Sequence, residues 1–332
     1  MQPTAARTNA PPLLWTICAL VILAVTQCTA HAADEKFKDR LWLWCHIEGA
    51  HDRAYHHDYG FGRYRFTISP QEAAELLGIE NIFMVRYNSG HHRGPKPREF
   101  SSYYDSHHFD RFNKVIWSIG GEGGTSSIIE RKDSLKLAQS KTNIVGFVMD
   151  DFFSKKKTRA LTPTGLSKLR RRLADNALPK SPSKLWAVVY DTDLSKKKYT
   201  SNAKFDAQFV PWLKEVDGIT LWFKKQESLT PENMENVVAT LEGHLAALPN
   251  PPKVMLGIYM WRYLEKTHAN FFMDDMNNQL EFARQSLASN RIDGVIFLAS
   301  CITDINGPAA PGVTAVQKWI AANKETPLSP VR

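Results

Sequence analysis

The chain has 332 residues, 43% of them apolar, and a formal net charge of +8 from 42 basic and 34 acidic side chains. That apolar share sets it apart from disordered chains, and its length suits one large domain or two small ones. Outside the first 32 residues no apolar run is long enough to cross a membrane, which excludes a polytopic membrane protein.

Arg7 is the only charge before Asp34, the apolar stretch Leu13 to Val25 follows it, and Ala30-His31-Ala32 comes next. That is the order of a secretory signal peptide over residues 1–32, and it predicts a secreted or periplasmic protein with no stable membrane insertion after cleavage. No Gly/Ser-rich or Pro-rich linker interrupts residues 33–324, so this region reads as one domain. Residues 325–332 carry two prolines and no periodicity, and read as a flexible tail.

Strand and helix signals then alternate. Leu41 to Glu48 reads as a first strand, and Ser69-Pro70 caps a helix through Leu77. Asn81 to Tyr87 is a second strand, followed by a short helix near Ser106 to Phe112. Lys114 to Gly120 is a third, with a Gly-rich turn and a helix near Arg131 to Gln139. The run Asn143 to Phe153, apolar apart from Asp150 and Asp151, is a fourth. Its helix opens at Thr162-Pro163 and carries Leu166, Leu169 and Leu173 at helical spacing. Lys184 to Tyr190 is the fifth strand, Asp206 to Val216 a helix, and Gly218 to Phe223 the sixth strand. A helix from Thr230-Pro231 through Leu248, a seventh strand Val254 to Trp261, a helix Asp274 to Ala288, an eighth strand Gly294 to Ser300 and a helix Val313 to Ala322 complete the series. Eight such units match a single (β/α)8 TIM barrel of the α/β class. A doubly wound open sheet also alternates, but it needs a Gly-rich turn after its first strand, where this chain has none.

In such a barrel the residues after each strand gather at one face. Asp150 and Asp151 are the leading candidates for a catalytic carboxylate, with Glu48, Asp191 or Glu227 as the second. Arg86, Tyr87, Tyr190, Trp222, Tyr259 and Trp261 are candidates for substrate binding. Paired carboxylates with flat apolar rings are what glycoside cleavage needs. For each ring the plainer reading is barrel filling, and for the Asp pair a capped turn beside a solvated charge. Which of Asp150 and Asp151 looks inward is open, because adjacent strand residues face opposite ways.

Trp117 to Gly121 (W-S-I-G-G) and Ile144 to Phe153 (I-V-G-F-V-M-D-D-F-F) resemble the paired signatures of family 18 chitinases and related hydrolase-like barrels, S-x-G-G and D-G-x-D-x-D-x-E. The resemblance implies a glycosidase-like barrel and puts Asp150 on the motif's last Asp, which in that family supports the substrate's acetamido group. Val148 replaces the middle Asp, and Phe152 stands where the family has its general acid Glu.

Basic runs follow three consecutive strands: Lys155 to Lys157, Lys196 to Lys198, and Lys224 with Lys225. They would steer an anionic poly- or oligosaccharide toward this face. No nucleic-acid motif is present, and no cofactor is implied. Eight of the eleven histidines lie between His46 and His108, without the fixed spacing of a metal motif, so no metal ligand is assigned. The expected function is a glycoside hydrolase. The alternatives are a glycan-binding barrel without catalysis and a metal-dependent hydrolase using the His-rich loops. Cys45 and Cys301 end neighbouring strands of a closed barrel, either as a bridge across its seam or as two buried thiols.

Overall fold

The computed structural model describes residues 35–50, 67–87, 97–121, 127–152, 162–175, 183–194, 209–260, 273–302 and 310–328. Eight strands close into one barrel in chain order: β1 Leu41–Cys45, β2 Asn81–Met84, β3 Lys114–Gly120, β4 Ile144–Met149, β5 Lys184–Tyr190, β6 Gly218–Trp222, β7 Lys253–Ile258 and β8 Gly294–Leu298. Every neighbouring pair is parallel, and β1 pairs with β8 through Leu41–Val295 to Trp44–Leu298. The α/β (β/α)8 reading is therefore correct, and the open sheet is excluded.

The helices outside the barrel are α1 Pro70–Leu77, α2 Pro97–Ser106, α3 Ile128–Ser140, α4 Pro163–Asp175, α5 over 209–213, α6 Pro231–Ala246, α7 Met273–Ala288 and α8 Ala310–Asn323. Their starts follow capping chemistry. Ser69 accepts from the Glu72 N–H while Glu72 reaches back to the Ser69 N–H, with Pro70 at the first position, and Gly78 ends α1 at φ 65°. Thr230 and Ser127 cap α6 and α3 by accepting the N–H groups of Asn233 and Glu130.

Large rings fill the barrel. Trp42 and Trp44 project inward from β1 and meet Phe83 at ring distances of 5.2 and 5.5 Å, while Trp44 reaches across to Trp222 at 5.4 Å. Phe83 in turn lies 5.8 Å from Trp186. Two glycines make this possible. A Cβ at Gly218 would fall 2.2 Å from the Trp186 ring, and one at Gly257 would fall 2.2 Å from the Trp222 ring. Each buried indole removes roughly 200 Å² from water, on the order of 5 kcal/mol before entropy. The outward face of the sheet packs on helices: Trp117 sits beneath Phe100, Tyr104 and Phe109.

Several expectations need correction. The stretch Ser106 to Phe112 holds only a one-turn 3-10 helix, Phe109–Arg111, and the main helix after β2 lies ahead of it at Pro97–Ser106, where Phe100, Tyr103 and Tyr104 recur at helical spacing and bury toward the barrel. His108, at φ 51°, turns the chain after it. β4 ends at Met149, four residues before Phe153, because Asp151 takes a left-handed conformation. An unforeseen one-turn helix, Asp191–Leu194, follows β5 directly. Residues 325–328 are docked rather than loose. The Leu328 N–H donates to Glu35 C=O at 2.7 Å, Phe37 N–H donates to Thr326 C=O at 3.0 Å, Glu325 pairs with Lys36 and Lys38, and Leu328 is buried.

The Cys45 thiol is free and buried, and burial pushes its pKa well up, so it is an inert core group. The Cys301 side chain lies outside the described residues, as do the segment 1–32, the end 329–332 and the lysines 155–157 and 196–198.

Candidate active site at the barrel mouth

The β4 strand delivers its two carboxylates into a tight turn. Asp150 is buried; its N–H donates to Gly120 C=O at 3.3 Å, and its Oδ1 accepts from the Asp151 N–H at 2.8 Å. Asp151 follows at φ 51°, a conformation that Asp adopts at lower cost than most residues. The turn swings the Asp151 carboxylate toward β5, where it accepts a hydrogen bond from the Tyr190 hydroxyl.

Tyr190 is itself buried, and its phenol is held far above the usual tyrosine range, first by burial and then by the charge of Asp151. It is therefore a permanent neutral donor to that carboxylate. Lys224, two residues past β6, places Nζ 3.3 Å from the centre of the Tyr190 ring. Burial lowers the Lys224 pKa and is opposed by the charges of Asp151, Asp193, Asp150 and Asp191 in that order. Four carboxylates, one ammonium and one phenol thus share the space above β4, β5 and β6.

The carboxylates are not equivalent. Asp191 Oδ1 accepts the N–H groups of Thr192 at 2.7 Å and Lys224 at 2.9 Å, so it ties the β6 loop to the end of β5. Asp193 Oδ2 accepts the Tyr190 N–H at 3.1 Å. Both therefore hold backbone, and Asp151 is the half-buried carboxylate bound to a side chain. Glu227 lies on the rim, exposed, with its carboxylate 3.2 Å from Lys225 Nζ. It lines a cavity of about 330 Å³ together with Asp191, Asn233 and Asn236.

Other residues named from sequence fall elsewhere. The Glu48 carboxylate accepts from the Tyr103 hydroxyl at 2.5 Å and stands 4.0 Å from His107 Nε2, against α2. Arg86 forms a buried two-point ion pair with Glu130 of α3, at 2.7 and 2.8 Å, and a Cβ at Gly121 would lie 2.9 Å from Arg86 C=O. That arrangement supports the wall of the mouth. Tyr87 packs edge-on to His46 at 5.7 Å, and Trp222 lies beneath Tyr259 at 4.9 Å with its Nε1–H donated to Thr220. Phe152 is buried. Trp261 lies outside the described residues.

Of the residues named from sequence, the structure brings Asp150, Asp151, Tyr190 and Lys224 together. Asp193, which also follows β5 in sequence, joins them, whereas Tyr103 and Glu130, the partners of Glu48 and Arg86, carried no signal. Most of the histidines between His46 and His108 also lie outside the described residues, and those described form no metal-sized cluster. His46 is instead buried, with Nδ1 2.9 Å from Val85 C=O, and burial lowers its pKa to about 4.

No protein-family model and no curated protein matches the sequence. Solved structures do match in fold. A Bacteroides thetaiotaomicron protein assigned as an alpha-L-fucosidase superposes with a TM-score of 0.50 at 9% identity, over 88% of this chain and 98% of that one. A GH18 chitinase from Pseudoalteromonas aurantia gives 0.49 at 15% identity, over 84% and 99%. A mutant Cellvibrio japonicus xylanase gives 0.47 at 11% identity, over 84% and 97%. What the chain shares with these structures is the fold, a closed (β/α)8 barrel. No helix among the described residues is long and apolar enough to cross a membrane.

Proposed function

We propose that this barrel acts on carbohydrate as an exported glycoside hydrolase, with the Asp150–Asp151 turn at its reaction centre. The observation that carries the reading is the Asp151 carboxylate, turned off the end of β4 onto the Tyr190 hydroxyl beside Lys224. A fixed neutral donor keeps that carboxylate oriented as nucleophile or base, while Asp150 shapes the turn through the Asp151 N–H. Glu227 on the adjacent rim is the second carboxylate in this reading, taking the role that Phe152 leaves vacant. Tyr259 over Trp222 offers a flat surface for a sugar ring. Lys224 supports an anionic substrate such as a uronic or sulfated glycan, and the signal-like segment 1–32 supports export.

The test is release of reducing ends from a panel of neutral and acidic polysaccharides. Asp151→Asn is expected to lower kcat/KM by about 10²–10⁴-fold on the best substrate, with acidic polymers preferred. Wild-type rates in that variant would remove Asp151 from the chemistry. A second reading, a glycan-binding barrel without catalysis, is favoured by buried Phe152 at the acid position of the resembling family. Retention on a polysaccharide column with no product from any substrate would select it.

A further inference from the structure

The opposite, N-terminal end of the barrel holds a cavity of about 350 Å³ that the proposed chemistry does not use. The layering of the strands builds it. In a (β/α)8 barrel, alternate strands contribute the side chains of one layer. Here the first residues of β3, β5 and β7 are all lysines, Lys114, Lys184 and Lys253, and Arg40 immediately precedes β1. All four line the cavity, so the odd strands set a ring of cations around the barrel axis. Beneath it the next odd-strand layer supplies Trp42 and Trp186 as an apolar floor.

Three carboxylates stand in the same lining, and they do not serve all four cations. Glu35 pairs with Arg40 at 2.6 Å, and Asp293 pairs with Lys253 at 3.0 Å. Asp39 accepts the Lys36 N–H at 2.8 Å, closing the turn before β1. Lys114 lies close enough to help hold Glu35 below the usual carboxylate range, but Arg40 is the larger cause. Among the described residues the Lys114 and Lys184 ammonium groups make neither an ion pair nor a hydrogen bond. Both lysines line the cavity beside the indoles while remaining exposed, an arrangement in which their stems can lie on apolar surface and their ammonium groups stay accessible.

We propose that this cavity is a second ligand site, for a small organic anion whose charged group lies between Lys114 and Lys184 and whose apolar body rests toward Trp42 and Trp186. A phosphate or carboxylate head matches two donors without an acid partner. The indole floor distinguishes such a ligand from a bare inorganic ion. The site is independent of the carboxylates at the mouth, which lie at the other end of the strands.

Calorimetric titration of the full chain with phenyl phosphate at low ionic strength tests this. One molecule is expected to bind per chain, at least tenfold more tightly than inorganic phosphate. The double variant Lys114→Gln/Lys184→Gln is expected to lose at least tenfold in affinity with its melting temperature unchanged, because both side chains are exposed. The Lys114→Arg/Lys184→Arg variant, which keeps both charges, is expected to bind within about threefold of wild type. No binding by the wild type, or equal binding by the glutamine variant, overturns the site. Inorganic phosphate binding as tightly as phenyl phosphate overturns the role of the apolar floor. Polysaccharide cleavage is read separately, and the glutamine variant is expected to leave it unchanged.

Discussion

Among the described residues, acids gather at one end of this barrel and bases at the other. At the mouth Asp150, Asp151, Asp191 and Asp193 surround Lys224, whereas at the other end Arg40, Lys114, Lys184 and Lys253 outnumber Glu35, Asp39 and Asp293. The ends also differ in how each anchors its arginine. The acids of the mouth are held by backbone N–H groups and a buried phenol, and its arginine by a buried glutamate. The far end also holds Asp39 and Asp293 by backbone N–H groups, but its arginine, Arg40, is paired with a Glu35 side chain about half exposed. The mouth's arginine is fixed in a buried pair, whereas the opposite end keeps two lysines, Lys114 and Lys184, with no ion pair among the described residues.

The sharpest way to break the contrast is Glu130→Ala. It strands the Arg86 guanidinium in a buried site and is expected to cost about 3–5 kcal/mol, read by urea denaturation. A loss below about 1 kcal/mol would show that the mouth is no more firmly built than the other end.

Acid offers a second route, through His46. The unfolded imidazole takes up a proton near pH 6.5, while the folded one resists until about 4. The folded state therefore binds fewer protons across that window, and stability present above pH 6.5 is lost as pH falls toward 4. The contribution is about 3 kcal/mol. Denaturation midpoints measured from pH 7 to 4 should fall less steeply in His46→Gln than in the wild type, and parallel profiles would exclude His46 as the cause.

Gly257→Ala addresses packing. Its new Cβ meets the Trp222 ring at 2.2 Å, so the indole beneath Tyr259 must move, at about 1–3 kcal/mol in thermal unfolding. The smallest effect is expected from Glu35→Gln at the far end, under about 1 kcal/mol, because the pair is open to solvent on the glutamate side. Equal losses from Glu35→Gln and Glu130→Ala would erase the distinction between the ends.

How much of this could be read in advance depended on the range of the interaction. All eight strands were legible because their apolar cores are local patterns, and Ser69-Pro70 and Thr230-Pro231 mark helix starts by local chemistry. The Asp pair was legible for the same reason, as an abrupt end to an apolar run. The turn that separates their roles was not, since a left-handed Asp151 has no signature in N-I-V-G-F-V-M-D-D. Glu48 and Arg86 looked like mouth residues by their place after β1 and β2. Their partners, Tyr103 and Glu130, lie on helices that no spacing rule connects to them. Asp191 is placed by its position after β5, but the amides of the β6 loop that reach its carboxylate leave no local signature either.

The seam between β1 and β8, with residues 325–328 clasping residues 35–38 beside it, has a consequence for how the chain reaches its native state. The first strand finds one of its two neighbours only when the eighth strand exists, and the clasp adds contacts from residues 325–328, further along the chain still. These are the most non-local contacts a chain can make, and loop closure must precede any gain from them. A growing or refolding chain therefore passes through an open sheet with β1 as an unpaired edge, its rings Trp42 and Trp44 not yet enclosed. Slow, late closure and a tendency to aggregate before it are the kinetic marks of that order of events.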